Sequence, residues 1–337
     1  MTRTAQLFAF GVCVVLAPRL FAESATERQL VQALERGLPI VQKAAANYPT
    51  HRDCFSCHHQ TLPMLAMVSI RGRGPSIDER LLKSQAEFSH ATFQRHIKQV
   101  KKGQGIGGRA LTVAYGLWTL SLVDWKQDET TEAMVTFLLK TQEKEGHWVR
   151  QTSRPPLEDS NVMCTTLAIR GLQKYAVKSQ KQEVDKAVHL AKVWLAAAPL
   201  KTEEDKVARL WSAHLLGCKP GEIKAARAAV LADQREDGGW AQLDSMKSDA
   251  YATGQALFVL HQTGLSPSEP AYQRGVQYLL KTQEKDGSWL VVTRSRPIQT
   301  MFDNGDPHGK NQFISTPATG WALAALACAC KPGPAKK

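Results

Sequence analysis

Strand-like patterning is missing from this sequence: no segment alternates apolar and polar residues with a period of two over a strand's length. That excludes a core built on sheets. Long apolar runs are missing too. Beyond residue 22 the longest, residues 321–330, has ten residues, about half of what a membrane-spanning helix needs. Cysteine is sparse, with seven in 337 residues, so the chain is not a disulfide-stapled mini-protein. With 43% hydrophobic and 22% charged residues and no glycine periodicity, it is neither disordered nor a collagen-like fibre. The net charge is +12, yet Lys and Arg are interspersed with Glu and Asp. Only Lys98, Lys101 and Lys102 and the Lys336-Lys337 end cluster. This is a solvated basic surface, expected to bind no nucleic acid and to be drawn at most weakly to an anionic membrane.

The N-terminus stands apart. Arg3 precedes an apolar stretch at residues 5–18, and Leu20-Phe21-Ala22 offers a cleavage site. This is the layout of a secretory signal cut after Ala22. A membrane anchor is the alternative, but the stretch is short and Arg19 interrupts it. The expectation is a signal peptide at residues 1–22, one domain at 23–332, a basic tail at 333–337, and a periplasmic or secreted location. Loss of Arg3 and Arg19 leaves a net charge of +10.

Repetition dominates the remainder of the chain. Gln142 to Trp148, Gln234 to Trp240 and Gln283 to Trp289 all read Q-x-x-x-G-x-W. Each copy comes after an amphipathic stretch. The glycine suits a helix end requiring positive φ, the glutamine can tie that end down, and the tryptophan packs between units. A second stretch repeats behind each copy: Cys164-Thr-Thr-Leu-Ala-Ile169, Ala252-Thr-Gly-Gln-Ala-Leu257 and Ala318-Thr-Gly-Trp-Ala-Leu323. These are apolar nearly all round, as closely packed inner helices are. Fainter pairs fill the gaps, at residues 27–45 with 61–70, 79–100 with 110–122, and 184–195 with 207–216; Thr26 and Gln29 form a capping box before the first. Six hairpins of about 52 residues, six outer helices around six inner ones, make an all-α (α/α)6 toroid.

The Q-x-x-x-G-x-W copies resemble those of squalene–hopene and oxidosqualene cyclases and of protein prenyltransferase β-subunits, which share this toroid. The resemblance covers roughly residues 25–330 and implies the fold. The cyclases' D-x-D-D acid motif is absent, with Asp303-Asn-Gly-Asp306 a distant echo, and the prenyltransferase D-x-C zinc pair is replaced by Asp249-Ala-Tyr251. If the chain is an enzyme on isoprenoid or triterpene substrates, Asp249, Asp303 and Asp306 are the candidate acids.

Outside that pattern lies Asp53-Cys54-Phe-Ser-Cys57-His58-His59-Gln60. C-x-x-C-H attaches c-type haem through two thioethers, and the histidine ligates the iron. Cys54 and Cys57 are the expected anchors and His58 the proximal ligand. Met64, Met67 and His308 are candidates for the sixth position; His59, adjacent to His58, is sterically poor for it. A zinc site using Cys54, Cys57 and a histidine, or a disulfide or free thiol pair, remains open. Every outer-to-inner connection leaves a toroid at the same end, so this motif shares its mouth with Arg109, Arg154, Asp159, Asn161, Asp249, Tyr251 and Arg296. The longest connection, from Thr293 to Phe313, exceeds the repeat and reads as functional. Together with the cysteine motif it resembles a group of secreted bacterial squalene-cyclase-like proteins that carry a c-type haem motif. The expected partners are an apolar small molecule or a redox protein; a lipid- or glycan-binding toroid is the non-catalytic alternative. Gly103-Gln-Gly105-Ile-Gly-Gly108 matches G-x-G-x-x-G but comes after a helix, so it is not a dinucleotide fingerprint. It can hold an anion beside Arg109. Cys328 and Cys330 read as packing residues.

Overall fold

The computed structural model describes residues 24–296 and 300–332; the expected signal segment and basic tail lie outside them. Helices come in pairs along the chain: α1 (Glu27–His51) with α2 (Leu62–Ile70), α3 (Glu79–Arg95) and the single turn α4 (Ile97–Val100) with α5 (Arg109–Ser121), α6 (Glu129–Thr141) with α7 (Asn161–Tyr175), α8 (Lys181–Ala197) with α9 (Glu203–Leu215), α10 (Pro220–Ala232) with α11 (Ala250–Gln262), and α12 (Pro270–Thr282) with α13 (Gln312–Ala329). The described residues form no strand; one isolated bridge joins Arg154 and Glu158. None of their helices is long and apolar enough to cross a membrane.

The second member of each pair is inner. From α5 the contacts run to α7, α9, α11, α13 and α2, and a π-helical turn at Cys57–Thr61 touches both α5 and α13 to close the ring. The expected six-hairpin toroid is the observed fold. Inner helices approach closely because their repeated small residues allow it. A Cβ on Gly254 would stand 2.6 Å from the Ala322 nitrogen, and one on Gly320 would stand 2.8 Å from the Leu62 carbonyl oxygen. Two helix boundaries differ from the sequence expectation. The first helix continues past residue 45 to His51 through Pro39 and Pro49, its buried stripe outweighing proline's helix-breaking tendency. The second outer stretch breaks at His96 into α3 and α4.

The three repeats share one hydrogen-bond scheme. Trp148, Trp240 and Trp289 donate from Nε1 to the carbonyls of Leu138, Val230 and Leu279, at 2.8, 2.7 and 2.9 Å, capping their outer helices. Their backbone N–H groups donate to Thr165, Thr253 and Thr319, the threonines of the inner-helix repeats. Gln142, Gln234 and Gln283 donate to the carbonyl of the motif glycine and to Ala187, Ala271 and Ala33 on the next outer helix. The motif glycine has positive φ as expected, but within the turn beyond the helix rather than at its end.

On the axis, away from the mouth, Trp118, Trp211, Phe258 and Trp321 form an aromatic plug, with ring centroids 5.2 to 6.3 Å apart. The Arg170 guanidinium lies over Trp118 and Trp211. Nearer the mouth, the space between Glu204, Tyr251 and Gln255 is only about 10 Å³, room for about one water.

The shared scheme predicts its own sensitivity. Trp240→Phe removes the indole bond to the Val230 carbonyl and leaves it only the longer bond from the Asp233 N–H at 3.3 Å; about 0.5–1.5 kcal/mol should be lost in urea unfolding. Gly238→Ala sets a methyl 2.5 Å from the Arg274 carbonyl at φ 89°; roughly 2–4 kcal/mol is expected. Equal stability of wild type and Gly238→Ala would remove the turn from its structural role.

Candidate functional site

The cysteine motif sits just beyond the end of α1, and its second half forms the π-helical turn into α2. The wider turn sets Cys57, His58 and His59 in the seam between the first and second hairpins; such turns recur at functional sites. Cys54 is exposed and Cys57 is 8% exposed, and both thiols are free. Both line a cavity of about 270 Å³, walled by Phe55, Phe93, Ile106, Phe313 and the glycines at 105, 107 and 108.

His58 also lines this cavity and is 6% exposed. Burial, helped by the charge of Arg154, lowers its pKa to about 3, so the ring is neutral and able to ligate. Burial also pushes the Cys57 thiol up, with the Glu158 charge adding to the effect. Glu158, 5% exposed, brings a carboxylate oxygen into this group: its ligand atom and those of Cys57 and His58 all lie within 4.8 Å of one another. Arg154 Nε donates to Glu158 at 2.9 Å, with a second bond from Nη2, and Thr152 donates to the same carboxylate. Although burial opposes its charge, these bonds hold the Arg154 guanidinium above its ordinary pKa.

His59 is locked in place. It stacks on Tyr48 at 4.5 Å, meets Ser56 Oγ at 3.1 Å and receives a bond from Asn304 Nδ2 at 2.9 Å. Asn304 arrives on the last connection, which folds over the first hairpin. Phe302 packs among Tyr48, His51, His59 and Phe313, with the Arg52 guanidinium 4.9 Å above its ring.

The sequence-derived candidates separate. Cys54, Cys57, His58 and Arg154 meet at one cavity; Arg154 and His58 line a second one together with Arg296. Met64 and Met67 are wholly buried on α2 and line neither. His308 bonds to Ser288 Oγ at 2.8 Å, so the long loop brings Phe302 and Asn304, not His308, to the histidines. Arg109, at φ 47°, opens α5 exposed beyond the glycine loop. Asp159 pairs with Arg150 at 3.3 Å, and Asn161 accepts from the Arg150 N–H. Asp249 caps α11 by accepting from the Ala252 N–H. Asp303 is exposed and turns the chain at Gly305. Asp306 accepts from the His308 N–H and from Thr316. Tyr251 donates to Glu204 at 3.1 Å. Sequence reasoning missed Glu158, Asn304 and Glu204. Glu158 lies four residues after Arg154 in a loop without regular periodicity, so only its folded partner reveals it.

No protein-family model matches the sequence, and a search of curated proteins returns no relative. Solved structures do match. A variant of the type II terpene cyclase MstE from Scytonema, in complex with merosterolic acid A, has a TM-score of 0.60 and 13% identity, covering 90% of this chain and 97% of that one. The ent-copalyl diphosphate synthase from Streptomyces platensis has a TM-score of 0.52 and 15% identity over 81% of this chain and 50% of its own. A possible member of the GH105 family from Klebsiella pneumoniae has a TM-score of 0.52 and 12% identity, covering 95% and 98%. At such identity the likeness shows the fold: a terpenoid-cyclase-like helical toroid.

The titrations set a pH profile. Burial pushes the Glu204 carboxyl up to about 8, against roughly 4.3 in an unfolded chain. Its contribution to stability is complete below the lower value and is lost as pH rises through the higher. Glu203, pushed up to about 10 by burial and by Asp233, extends that limb. His58 works the other way: its contribution is present above about 6.5 and is lost as pH falls through about 3. Melting temperature should pass through a maximum, and Glu204→Gln should shallow the alkaline fall. A variant curve parallel to that of the wild type would contradict this assignment.

Proposed function

We propose that this chain is an exported toroid carrying one covalent c-type haem at its mouth. It would act in electron transfer to a redox partner protein or in haem-assisted recognition of an apolar molecule. The observation that carries the reading is that Cys54, Cys57 and His58, with both thiols free, line one cavity with aromatic walls. The donor set fits the group: two thiols to form the thioethers, and an imidazole that burial keeps unprotonated above about pH 3. When bound, haem would supply a one-electron iron couple. The chain's part is to hold His58 neutral, exclude water with Phe55, Phe93 and Phe313, and fix a cation, Arg154, beside the ligand. The N-terminal signal agrees with the compartment in which c-type maturation occurs.

A second reading has its own observation. Cys57, His58 and Glu158 suit a single metal ion such as zinc, three protein ligands leaving a position open. Cys54 has no part in that group. Terpenoid chemistry, suggested by the cyclases with the same fold, requires an acid facing a substrate chamber. Here Glu203 and Glu204 are buried acids held protonated at neutral pH, beside a space of about 10 Å³.

Protein produced with c-type maturation should give a pyridine haemochrome band that survives denaturation. Cys54→Ser should reduce covalent haem strongly while Glu158→Gln leaves most of it. No covalent band, with stoichiometric zinc by elemental analysis that Glu158→Gln abolishes and Cys54→Ser spares, would establish the metal reading instead.

A further inference from the structure

His58, Arg154 and Phe313 also line a second cavity, a groove of about 330 Å³ between the loop carrying Pro155 and Leu157 and the last connection. We infer that this groove binds an amphipathic anion: an apolar chain of roughly ten carbons headed by a carboxylate or phosphate. The reading rests on the mouth as a ligand site and is independent of haem at the cysteines.

Shape and surface come first. The volume lies within the range of about 300–1,000 Å³ typical of small-molecule sites. That is room for a small ligand such as a chain of about ten carbons with its head group. Its walls include Leu157, Phe313 and Ile314. Val292 and Met301, at 64% and 54% exposure, are among the most exposed large apolar side chains of the described residues, and both stand at this groove. Exposed apolar groups gathered at a concavity, rather than scattered, mark a binding surface.

Charge selects the head group. Arg154, Arg296 and Lys310 line the groove, and among the described residues no carboxylate does. Arg154 is committed to Glu158. Arg296 and Lys310 are exposed and, among the described residues, have no ion pair or hydrogen bond. Two uncompensated cations beside an apolar wall complement a ligand with one anionic end, and guanidinium binds carboxylate and phosphate alike in a bidentate fashion. The walls are fixed relative to each other: Ser295 Oγ donates to the Pro155 carbonyl at 3.1 Å across the groove, and Thr293 N–H donates to Asn311 at 3.1 Å within one wall.

Calorimetric titration of the full chain with decanoate, decyl phosphate, decanol and inorganic phosphate tests this. At least one of the two amphipathic anions should bind ten-fold or more tightly than decanol and than inorganic phosphate, and the tighter of the two identifies the head group. The Arg296→Gln, Lys310→Gln double variant should lose roughly ten-fold in affinity for that anion. Met301→Glu, on an exposed loop position, should lose at least as much. Circular dichroism checks that both variants fold. Decanol or inorganic phosphate binding as tightly as the tighter of the two amphipathic anions, unchanged affinity in the double variant, or no binding of either anion up to its solubility limit would each overturn the inference. The haemochrome band is measured on the same samples, so failure of the haem reading and failure of this one are told apart.

Discussion

Carbonyl groups left open at outer-helix ends govern this architecture. A helix ends with unpaired acceptors, and in a toroid those ends face the turn that leads inward. The Q-x-x-x-G-x-W turn pairs them with side chains: the indole N–H caps the helix just ended, and the glutamine amide reaches the next outer helix. The last copy joins Gln283 to the Ala33 carbonyl, so the bond that stacks neighbours elsewhere in the ring closes it here. Each bond contributes only about 1 kcal/mol, but the same set recurs in all three copies and ties each helix end to its neighbour.

Closure has a consequence for the site. Because the sixth hairpin must meet the first, its long connection passes over the start of α2, and Phe302 and Asn304 are delivered to Tyr48 and His59. The cysteine motif therefore lies beneath a loop from the opposite end of the chain. Burial is the main reason its histidines are neutral, with the Arg154 charge adding to the effect at His58. The same loop walls the second cavity, so the two cavities share His58, Arg154 and Phe313.

The fold places these groups without assigning their chemistry. Structures named as a type II terpene cyclase, a copalyl diphosphate synthase and a possible member of the GH105 family share it at 15% identity or less, and function on such a scaffold belongs to the site. In this chain the far end of the axis is filled by tryptophans and the interior near Glu204 is almost closed. The two cavities that His58 and Arg154 share lie at the mouth.

The toroid was legible because helical periodicity and a repeated turn are local signals: apolar stripes, Q-x-x-x-G-x-W and the small inner helices each state their structure within a dozen residues. C-x-x-C-H was legible as a motif for the same reason, its residues standing at fixed spacing. Glu158 and Asn304 were not, because a carboxylate in a loop and an asparagine in a long connection acquire roles only from what closure sets against them. His308 shows the same limit in reverse. The sequence by itself determined which segments are helices, which of them face inward and where the paired cysteines sit. Only the tertiary structure decided which side chains surround them, since ring closure brings residues from opposite ends of the chain into one buried, low-dielectric mouth.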